Sequence, residues 1–419
     1  MPPAVAAAVF TTLAIVPPGG ANPRGLRVEQ LESQVDRDHP LLARVALEDA
    51  LTGQWSVPRE ATLQLGHGST WTTVRVAGHE GLPFVFANVP VAVDGPLRLR
   101  VDAGGYHAET TLRPAHSRRG FVPHELPRGE HGIEIRVEGG VLVPEVPGTV
   151  LVRVDGLTGG EVEMTGTDDA VQIDRPRSQP DLCGVSAFEV TVRGLDAHVV
   201  IRLPGDGPDR VARRAIPVAP GAIAISTSDA EAIALTTPIG GQPVFVLFGD
   251  ANGIATHWGA SRFDDVANAN ATLRLPVAHD STWVLASLSP AFESSSGFWL
   301  RTPPGTTRCS ATSLGDRFVR ASTTIPEPPG IRVLFDGARV AALDRARRQH
   351  RFRRISLVFA SLGIAMLIAL IAAANLRREQ GALRHSALTN RSRIWIAIGG
   401  SLALLLGGAV LLSAFALRQ

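Results

Sequence analysis

Lysine is absent from this chain of 419 residues, so all 41 of its basic residues are arginine. Schiff-base chemistry and the phosphate-binding lysine of a Walker loop are therefore excluded. The basic residues face 39 acidic ones, which leaves a formal net charge of +2. A balance this close to neutral does not suggest nucleic acid as a partner, and we expect none.

Cysteine is nearly absent as well. Cys183 and Cys309 are the two cysteines of the chain, too few for a cysteine-based zinc site. They fit an oxidising compartment, where a pair so far apart in sequence could form one disulfide that stabilises the fold by about 2–4 kcal/mol. Two unpaired buried thiols are the alternative.

Catalytic signatures are missing too. The chain has no His-Glu-x-x-His, Gly-x-Ser-x-Gly or Ser-x-x-Lys motif. We therefore expect a protein that is not an enzyme and that has no resident cofactor. A hydrolase whose carboxylates come together from distant loops is an alternative that sequence pattern does not exclude.

Short alternating strands dominate the chain from about residue 25 to residue 303. Runs of five to nine residues place Val, Ile, Leu or Phe on one side and Arg, Glu or Thr on the other, with Gly, Pro, Asn and Asp between them. Arg44–Glu48 and Leu97–Val101 are examples. Such runs predict sheets with one buried and one solvated face. The fold class expected is mainly β, with tandem β-sandwiches of the Ig-like or transthyretin-like kind in series.

Proline and glycine clusters suggest the domain boundaries. They predict a first sandwich at residues 25–114, a linker at 115–128, a second sandwich at 129–214, and a third sandwich with a following strand at 215–335. A basic helix is expected at 338–354. In the third region, Pro243–Gly249 followed by Asn252-Gly253 predicts a β-hairpin.

One stretch resembles a known family. Residues 42–114 contain the strand and turn Ala46–Gly53, the strand Pro83–Pro90, and Leu97–Ala103 followed by Gly105-Tyr106. In this order they resemble the carboxypeptidase regulatory-like domain, a transthyretin-like sandwich, and macroglobulin-type and bacterial Ig-like modules look similar. Such domains are usually accessory folds, so the resemblance implies stability or binding rather than catalysis.

Metal ligands are the first group of candidate site residues. Asp250, Asn252, Asp264 and Asp265 could hold calcium through oxygen ligands, although Asp and Asn also favour turns for local reasons. His107, His116, His124 and His131 recur around the linker and could bind a metal through imidazole, with solvated loop histidines as the alternative.

Aromatic and hydroxyl residues are the second group. Trp258, Trp283 and Trp299 could form a stacking platform for a glycan or peptide, or they could be buried core aromatics. The serines of Ser294–Gly297 could be read as a nucleophile loop, but no partner base is visible and a turn is the simpler interpretation.

Long uncharged runs occur at the two ends of the chain. Residues 4–16 are apolar and are followed by Pro17-Pro18-Gly19-Gly20, as in a secretory signal peptide at residues 1–21, although no arginine precedes Arg24. Residues 355–375 and 394–417 are each long enough to cross a bilayer of about 30 Å as a helix. We expect them to form a transmembrane hairpin.

Small residues recur every four positions in both predicted spans, which places them on one helix face and allows close packing in lipid. These predicted packing residues are Ser361, Ala365, Ala369, Ala373, Gly399, Ala403 and Gly407. The loop 376–393 carries five arginines and is expected in the cytoplasm, with the sandwiches outside. The arginines of 345–354 then lie outside, against that rule, which leaves a cytoplasmic β-region as the alternative.

Together these features predict an integral protein of the bacterial cell envelope, in the inner membrane, with a periplasmic or extracytoplasmic β-region. Its expected partners are membrane lipid, an envelope protein and a glycan. The expected function is a non-catalytic accessory or structural subunit. Besides the hydrolase, a second alternative is a sensor that couples an external sandwich to a cytoplasmic partner through the hairpin.

Overall fold

The computed structural model describes residues 24–50, 52–92, 95–112, 121–129, 132–205, 211–227, 231–265, 270–306, 309, 311–344, 346–348, 350–351 and 355. The chain divides into two compact units. One comprises residues 25–48 and 53–337, and the other comprises residues 1–24, 49–52 and 338–419. The larger unit holds the β-sheets.

The described part of the chain is mainly β, with one short helix, α1 (Ser313–Ala321), among the strands. The strands are β1 (Arg24–Leu31), β2 (Leu41–Asp49), β3 (Trp55–Ser56), β4 (Glu60–His67), β5 (Thr70–Ala77), β6 (Val85–Val89), β7 (Leu97–Ala103), β8 (Tyr106–Leu112), β9 (Ile133–Val137), β10 (Gly148–Val154), β11 (Val162–Gly166), β12 (Val171–Ile173), β13 (Arg177–Ser178), β14 (Val185–Val192), β15 (Ala197–Arg202), β16 (Val211–Ile216), β17 (Ala224–Thr227), β18 (Ala232–Thr237), β19 (Pro243–Gly249), β20 (Ala255–Arg262), β21 (Ala271–Pro276), β22 (Trp283–Ser287), β23 (Ser295–Trp299) and β24 (Ile331–Asp336).

The first sandwich pairs a sheet of order β24-β1-β2-β3, in which β6 also joins β2, with a sheet of order β5-β4-β7-β8. Every strand pairing is antiparallel. Alternate residues of β4 and β7, such as Leu63 and Leu99, point inward and meet Val28 and Val45 of the facing sheet in one buried core. This is the two-sheet packing that the alternating pattern predicts.

The second sandwich is built in the same way from β9–β16. Its sheets have the orders β12-β14-β10-β9 and β13-β11-β15-β16. Val150 and Phe188 of the first sheet pack against Met164 and Ile201 of the second. Both sheets are antiparallel, and neighbouring strands are close in sequence.

The third sandwich joins a sheet of order β17-β18-β21 to one of order β20-β19-β22-β23. Ile233 and Leu235 pack against Val244, Val284 and neighbouring residues between the sheets. The predicted hairpin is confirmed, because β19 and β20 pair antiparallel on either side of the Asp250–Gly253 turn.

The first and third sandwiches also pack on each other. The outer face of the β1-β2 sheet contributes Leu31 and Leu42, and the outer face of the β19-β22 sheet contributes Phe245, Trp258 and Trp283, to one buried aromatic cluster. Four sheets are therefore stacked in this unit, and the two middle ones are covered on both faces. We call the contact between these two middle sheets the aromatic layer.

The expectation of one solvated face is wrong for β2. Residues Leu41–Ala46 are buried without interruption, and Arg44, which the pattern assigned to solvent, is buried with them. The strands β19 and β22 are buried in the same way. The physical reason is the aromatic layer, which removes the outer faces of both sheets from water.

The final strand follows the third sandwich in sequence, as expected, but it joins a sheet of the first sandwich. β24 pairs antiparallel with β1, with Phe335 opposite Val28 and Ile331 opposite Leu31. Leu334 and Phe335 pack against the core of the first sandwich. Residues about 300 positions apart in sequence thus complete one sheet.

Residues 337–344, 346–348 and 350–351, within the expected basic helix, are helical. Within the described part of the chain, no helix is both long and apolar enough to span a membrane. The predicted signal peptide, the loop 376–393, the packing residues from Ser361 to Gly407 and both predicted spans, apart from Ile355, lie outside the described residues.

Gly249 shows how closely the aromatic layer is packed. A Cβ atom built on Gly249 would lie 2.0 Å from a ring carbon of Trp283, which is directly opposite on β22. We expect Gly249→Ala to lower the free energy of unfolding by about 1–3 kcal/mol, because the indole ring has to move out of a packed core. Urea denaturation followed by tryptophan fluorescence measures this change.

Gly159→Ala is the matched control. Gly159 is exposed, and an added Cβ there meets no atom within 4 Å. Its effect on stability should stay within about 0.5 kcal/mol. Equal effects of the two substitutions would contradict the packing described.

Candidate functional site

The predicted calcium ligands lie at two ends of one hairpin. Asp250 and Asn252 form the turn after β19, whereas Asp264 and Asp265 follow β20 beside Gly241 at the other end. The two strands, of seven and eight residues, separate the two pairs by about 20 Å, so they do not share an ion. The four residues therefore do not form one site.

The Asp250 carboxylate is engaged by the turn itself. One oxygen accepts hydrogen bonds from the backbone N–H groups of Asn252 at 3.0 Å and Ile254 at 2.8 Å. The other lies 3.3 Å from the Asn252 amide and 3.5 Å from Nε2 of His39. The Asx-type turn that was the alternative interpretation explains these contacts.

Asp36 completes this contact on the side of the first sandwich. Its carboxylate lies 2.8 Å from Nδ1 of His39. Partial burial acts to raise the pKa of Asp36, but hydrogen bonds from Gln34, His39 and the backbone of Asp38 outweigh it, so the pKa lies below its usual value. Among the described residues, no group of three or more His, Cys, Asp or Glu side chains is placed to hold a metal ion.

The other sequence candidates are dispersed or buried. His107 contacts Asp102 at 2.8 Å on an exposed strand pair, and His124 lies in the linker, while His116 and His131 lie outside the described residues. Trp258, Trp283 and Trp299 are core aromatics, fully buried in the aromatic layer. The serine run begins strand β23 rather than a nucleophile loop.

Cys183 and Cys309 form a disulfide, with their Cα atoms 5.6 Å apart. The bond attaches the segment before α1 to the start of β14. Thr312, the N-cap of α1, donates a hydrogen bond to Asp181 on the same loop. Gly315 lies against the disulfide, since an added Cβ would be 2.7 Å from the sulfur of Cys183.

Helix α1 connects the second and third sandwiches. Phe318 packs on Leu151 and Val185 of the second sandwich. Arg317 donates two hydrogen bonds to the Glu138 carboxylate, at 2.9 and 2.6 Å, and this pairing raises the pKa of Arg317 against the opposing effect of burial. On the other side, Arg320 donates to the carbonyls of Trp299 and Leu300 in the third sandwich.

A buried ion pair lies at the edge of the aromatic layer. Arg44 is 4% exposed and Glu29 is 3% exposed. The Arg44 guanidinium contacts the Glu29 carboxylate at 2.5 and 2.6 Å, and it donates to the carbonyl of Pro290 in the third sandwich at 2.9 Å. Sequence reasoning missed this pair, although an arginine inside the apolar run Leu41–Leu47 was the available signal.

The surroundings of Arg44 explain how the charge is tolerated. The guanidinium lies 4.2 Å from the ring centre of Phe84 and 5.3 Å from that of Trp258. Burial lowers the pKa of Arg44, and the Glu29 carboxylate opposes this effect. Arg27 also contacts Glu29, at 2.7 Å, so the carboxylate is paired on both oxygens. The ion pair lies within one sheet of the first sandwich, and the hydrogen bond from Arg44 to Pro290 links it to the third sandwich.

A cleft of about 350 Å³ lies where the second and third sandwiches meet the segment after α1. We call Ser322–Pro328 the return segment. It pairs with the linker through an antiparallel bridge between Thr323 and Glu125. Further walls come from the turn at Gly139-Gly140 and from β23. Among the described lining residues, Glu327 is the single carboxylate and Arg320 the single basic group.

Comparison with known proteins assigns no family. No family model matches the chain, and no curated protein matches it. The name of the carboxypeptidase regulatory-like domain therefore has no support beyond the β-sandwich architecture of residues 42–114.

Solved structures of multidomain β-proteins were found, at low similarity. The I9-I11 tandem from titin is 9% identical with a TM-score of 0.16, over 62% of this chain and 92% of titin's fragment. Domains 4–9 of the surface layer protein SbsC are 12% identical with a TM-score of 0.21, over 62% and 42%. Invasin, a bacterial integrin-binding protein, is 11% identical with a TM-score of 0.17, over 63% and 56%. The matches span about half or less of the latter two structures, and such scores carry no functional argument.

The burial of the Arg44–Glu29 pair predicts how much stability is lost when Arg44 is removed. Arg44→Ala leaves a buried carboxylate with one fewer partner and removes the link to Pro290. We expect it to lower the free energy of unfolding by about 3–5 kcal/mol. Urea denaturation monitored by the buried tryptophans of the aromatic layer measures the loss.

Arg98→Ala is the control, since Arg98 is exposed and lies 3.7 Å from Glu109 in a surface ion pair. Its effect should be below about 1 kcal/mol. A loss for Arg44→Ala no larger than that for Arg98→Ala would show that the buried pair does not hold the sandwiches together.

The disulfide gives a second expectation. Cys309→Ser releases the segment before α1 from β14 and should lower the free energy of unfolding by about 2–4 kcal/mol. The same substitution should make residues 300–325 more sensitive to limited proteolysis. Cys183→Ser is the matched variant and should behave identically, whereas unchanged stability in both would contradict a structural bond.

Proposed function

We propose that this chain is a membrane-anchored protein of the bacterial envelope. Its β-sandwich region lies outside the cytoplasm and binds a protein or glycan partner as a non-catalytic accessory or structural subunit. The observation that carries the proposal is the Cys183–Cys309 disulfide. Structural disulfides persist in oxidising compartments such as the periplasm and are rare in the cytosol.

The buried charged side chains are paired with one another or with the backbone, which supports a binding or structural protein over an enzyme. Arg44 pairs with Glu29 on the neighbouring strand β1 and donates to the carbonyl of Pro290 across the aromatic layer, and Arg317 pairs with Glu138. The Asp250 carboxylate is engaged by its own turn. These groups hold the sandwiches together and are not directed into the cleft.

The hydrolase alternative requires two acids that face each other across a cleft. The described lining of the cleft supplies one carboxylate, Glu327. The lining of this cleft therefore supports binding better than it supports carboxylate-based hydrolysis. The predicted hairpin supplies the anchor in this proposal, and assembly with another membrane protein would explain why two spans are present rather than one.

The sensor alternative has one observation in its favour. β24 completes the first sandwich by pairing with β1, and helical residues begin directly after it. A movement of the helical residues that follow β24 would then displace β24 relative to β1 in the first sandwich. Such a movement would need a separate cytoplasmic partner.

Reporter fusions test the compartment. Alkaline phosphatase fused after residue 150 should be active, and the same enzyme fused after residue 385 should be inactive, because phosphatase folds only outside the cytoplasm. Fluorescent-protein fusions at the same two positions should give the opposite pattern. Fluorescence from the fusion at residue 150 would overturn the proposal.

Thiol trapping gives an independent readout on the intact chain. Alkylation of protein from freshly lysed cells should leave Cys183 and Cys309 unmodified until a reductant is added. The Cys183→Ser variant is the control, because its Cys309 thiol should react at once. Full alkylation of both cysteines without reductant would show that the β-region resides in a reducing compartment.

A further inference from the structure

The free edge of β23 is the feature of the cleft that points to a ligand class. Among the described strands, β23 is the last of its sheet and pairs with β22 alone, with Gly297 opposite Leu285. Ser295 and Gly297 both line the cleft. The cleft therefore opens onto a strand edge and not onto a sheet face.

The hydrogen-bond pattern shows which backbone groups face the cleft. Just beyond β23, the N–H of Leu300 donates to the carbonyl of Thr282 at 2.8 Å. Hydrogen-bonded and non-hydrogen-bonded pairs alternate along an antiparallel ladder. Phe298 and Ser296, two and four residues before Leu300, must then direct their backbone N–H and C=O groups toward β22 and hydrogen-bond to it. The intervening Trp299, Gly297 and Ser295 direct their N–H and C=O groups away from it.

The carbonyl of Trp299 has a partner outside β22, because it accepts a hydrogen bond from the Arg320 guanidinium at 3.4 Å. For Ser295 and Gly297, the described residues supply no hydrogen-bond partner to the outward backbone groups. The edge thus offers donors and acceptors at the spacing of an extended chain.

The opposite wall leaves this edge open. The return segment contributes Pro326 and Pro328, which have no N–H group to donate. The backbone of Thr324 is engaged elsewhere. Its N–H donates to the backbone carbonyl of His124, and its carbonyl accepts a hydrogen bond from the Trp299 indole N–H. The return segment therefore does not act as the neighbouring strand of β23.

Apart from Arg320, Glu327 and two threonines, the remaining walls are mostly apolar. The side chains involved are Leu126, Val141, Phe298 and Ile325, together with the two prolines. A volume of about 350 Å³ falls within the range of ligand sites and accommodates a short extended segment.

We propose that the cleft binds an extended peptide segment of a partner protein, which adds to the edge of β23 as a further strand and places apolar side chains against these walls. The proposal rests on the proposed binding function and specifies its ligand as a peptide. Main-chain hydrogen bonds to Ser295 and Gly297 fix the register of the peptide against β23, and the cleft walls determine which peptide side chains fit.

A displayed peptide library tests the proposal. Random heptapeptides on phage are selected against the full-length chain in detergent micelles, and enriched sequences are synthesised and titrated by fluorescence anisotropy. We expect enriched peptides to alternate apolar and polar residues. Ser295→Pro should weaken their binding at least tenfold, because it removes an outward N–H donor and leaves the pairing with β22 intact.

Ser295→Ala is the matched control, since it keeps the N–H group and should change the affinity less than twofold. Val141→Arg provides a second variant that narrows the cleft from the second sandwich without altering β23, and it should also weaken binding at least tenfold. Tryptophan fluorescence and an intact disulfide establish that each variant is folded.

The proposal is overturned if no peptide is enriched, or if enriched peptides bind wild type, Ser295→Pro and Val141→Arg equally well. Either result leaves the reporter-fusion outcome untouched, because that experiment concerns the compartment alone. Conversely, a cytoplasmic β-region would refute the envelope function while leaving peptide binding at β23 to be measured in the purified chain.

Discussion

The packing of two β-sheets through their outer faces is the constraint on which the rest of the structure depends. The β1-β2 sheet and the β19-β22 sheet each already cover one core, and the aromatic layer covers their second faces. Apolar burial on both sides stabilises these strands, and it also forces polar groups on them to find partners out of water. Arg44 meets that requirement with Glu29, with the carbonyl of Pro290 and with the ring of Phe84.

The second sandwich is attached by different means. It contacts the third sandwich directly through Val143 and Val146, which pack on Ala222 and Ala224. It is also held through α1, where the disulfide, the Arg317–Glu138 pair and Phe318 bind the helix to the second sandwich. Arg320 binds the other side of the helix to the third sandwich. The same connection frames the cleft, since the return segment follows directly after α1. Stability and ligand access at this junction therefore share the same residues.

Local features were predictable from the sequence, and long-range contacts were not. Alternation placed the strands, and Asn252-Gly253 located a hairpin, because both signals act within a few residues. The strand β2 shows the limit. Its alternation places Arg44 and Glu48 on one face, but the pattern cannot tell whether that face is solvated or buried until the partner sheet is known. The pairing of β24 with β1 joins residues separated by 300 positions, and no local signal encodes it.

The candidate site was missed for a related reason. A strand edge is not a residue motif, so nothing in Ser295–Trp299 distinguishes it from the middle of a sheet. The Asp250 and Asp264 pairs, by contrast, looked like ligands because their residue types are those of calcium loops. Their placement at opposite ends of the hairpin depends on strand length, and their engagement depends on turn geometry.

The closure of the first sheet by β24 has a consequence for the order of synthesis. β1 stands as an unpaired edge until residue 336 has emerged, so the first sandwich to appear is the last to be completed. Until then one edge of β1 has no neighbouring strand, and exposed strand edges are prone to aggregate. Folding of this β-region should therefore depend on how well the free edge of β1 is kept from pairing with other chains before β24 is available.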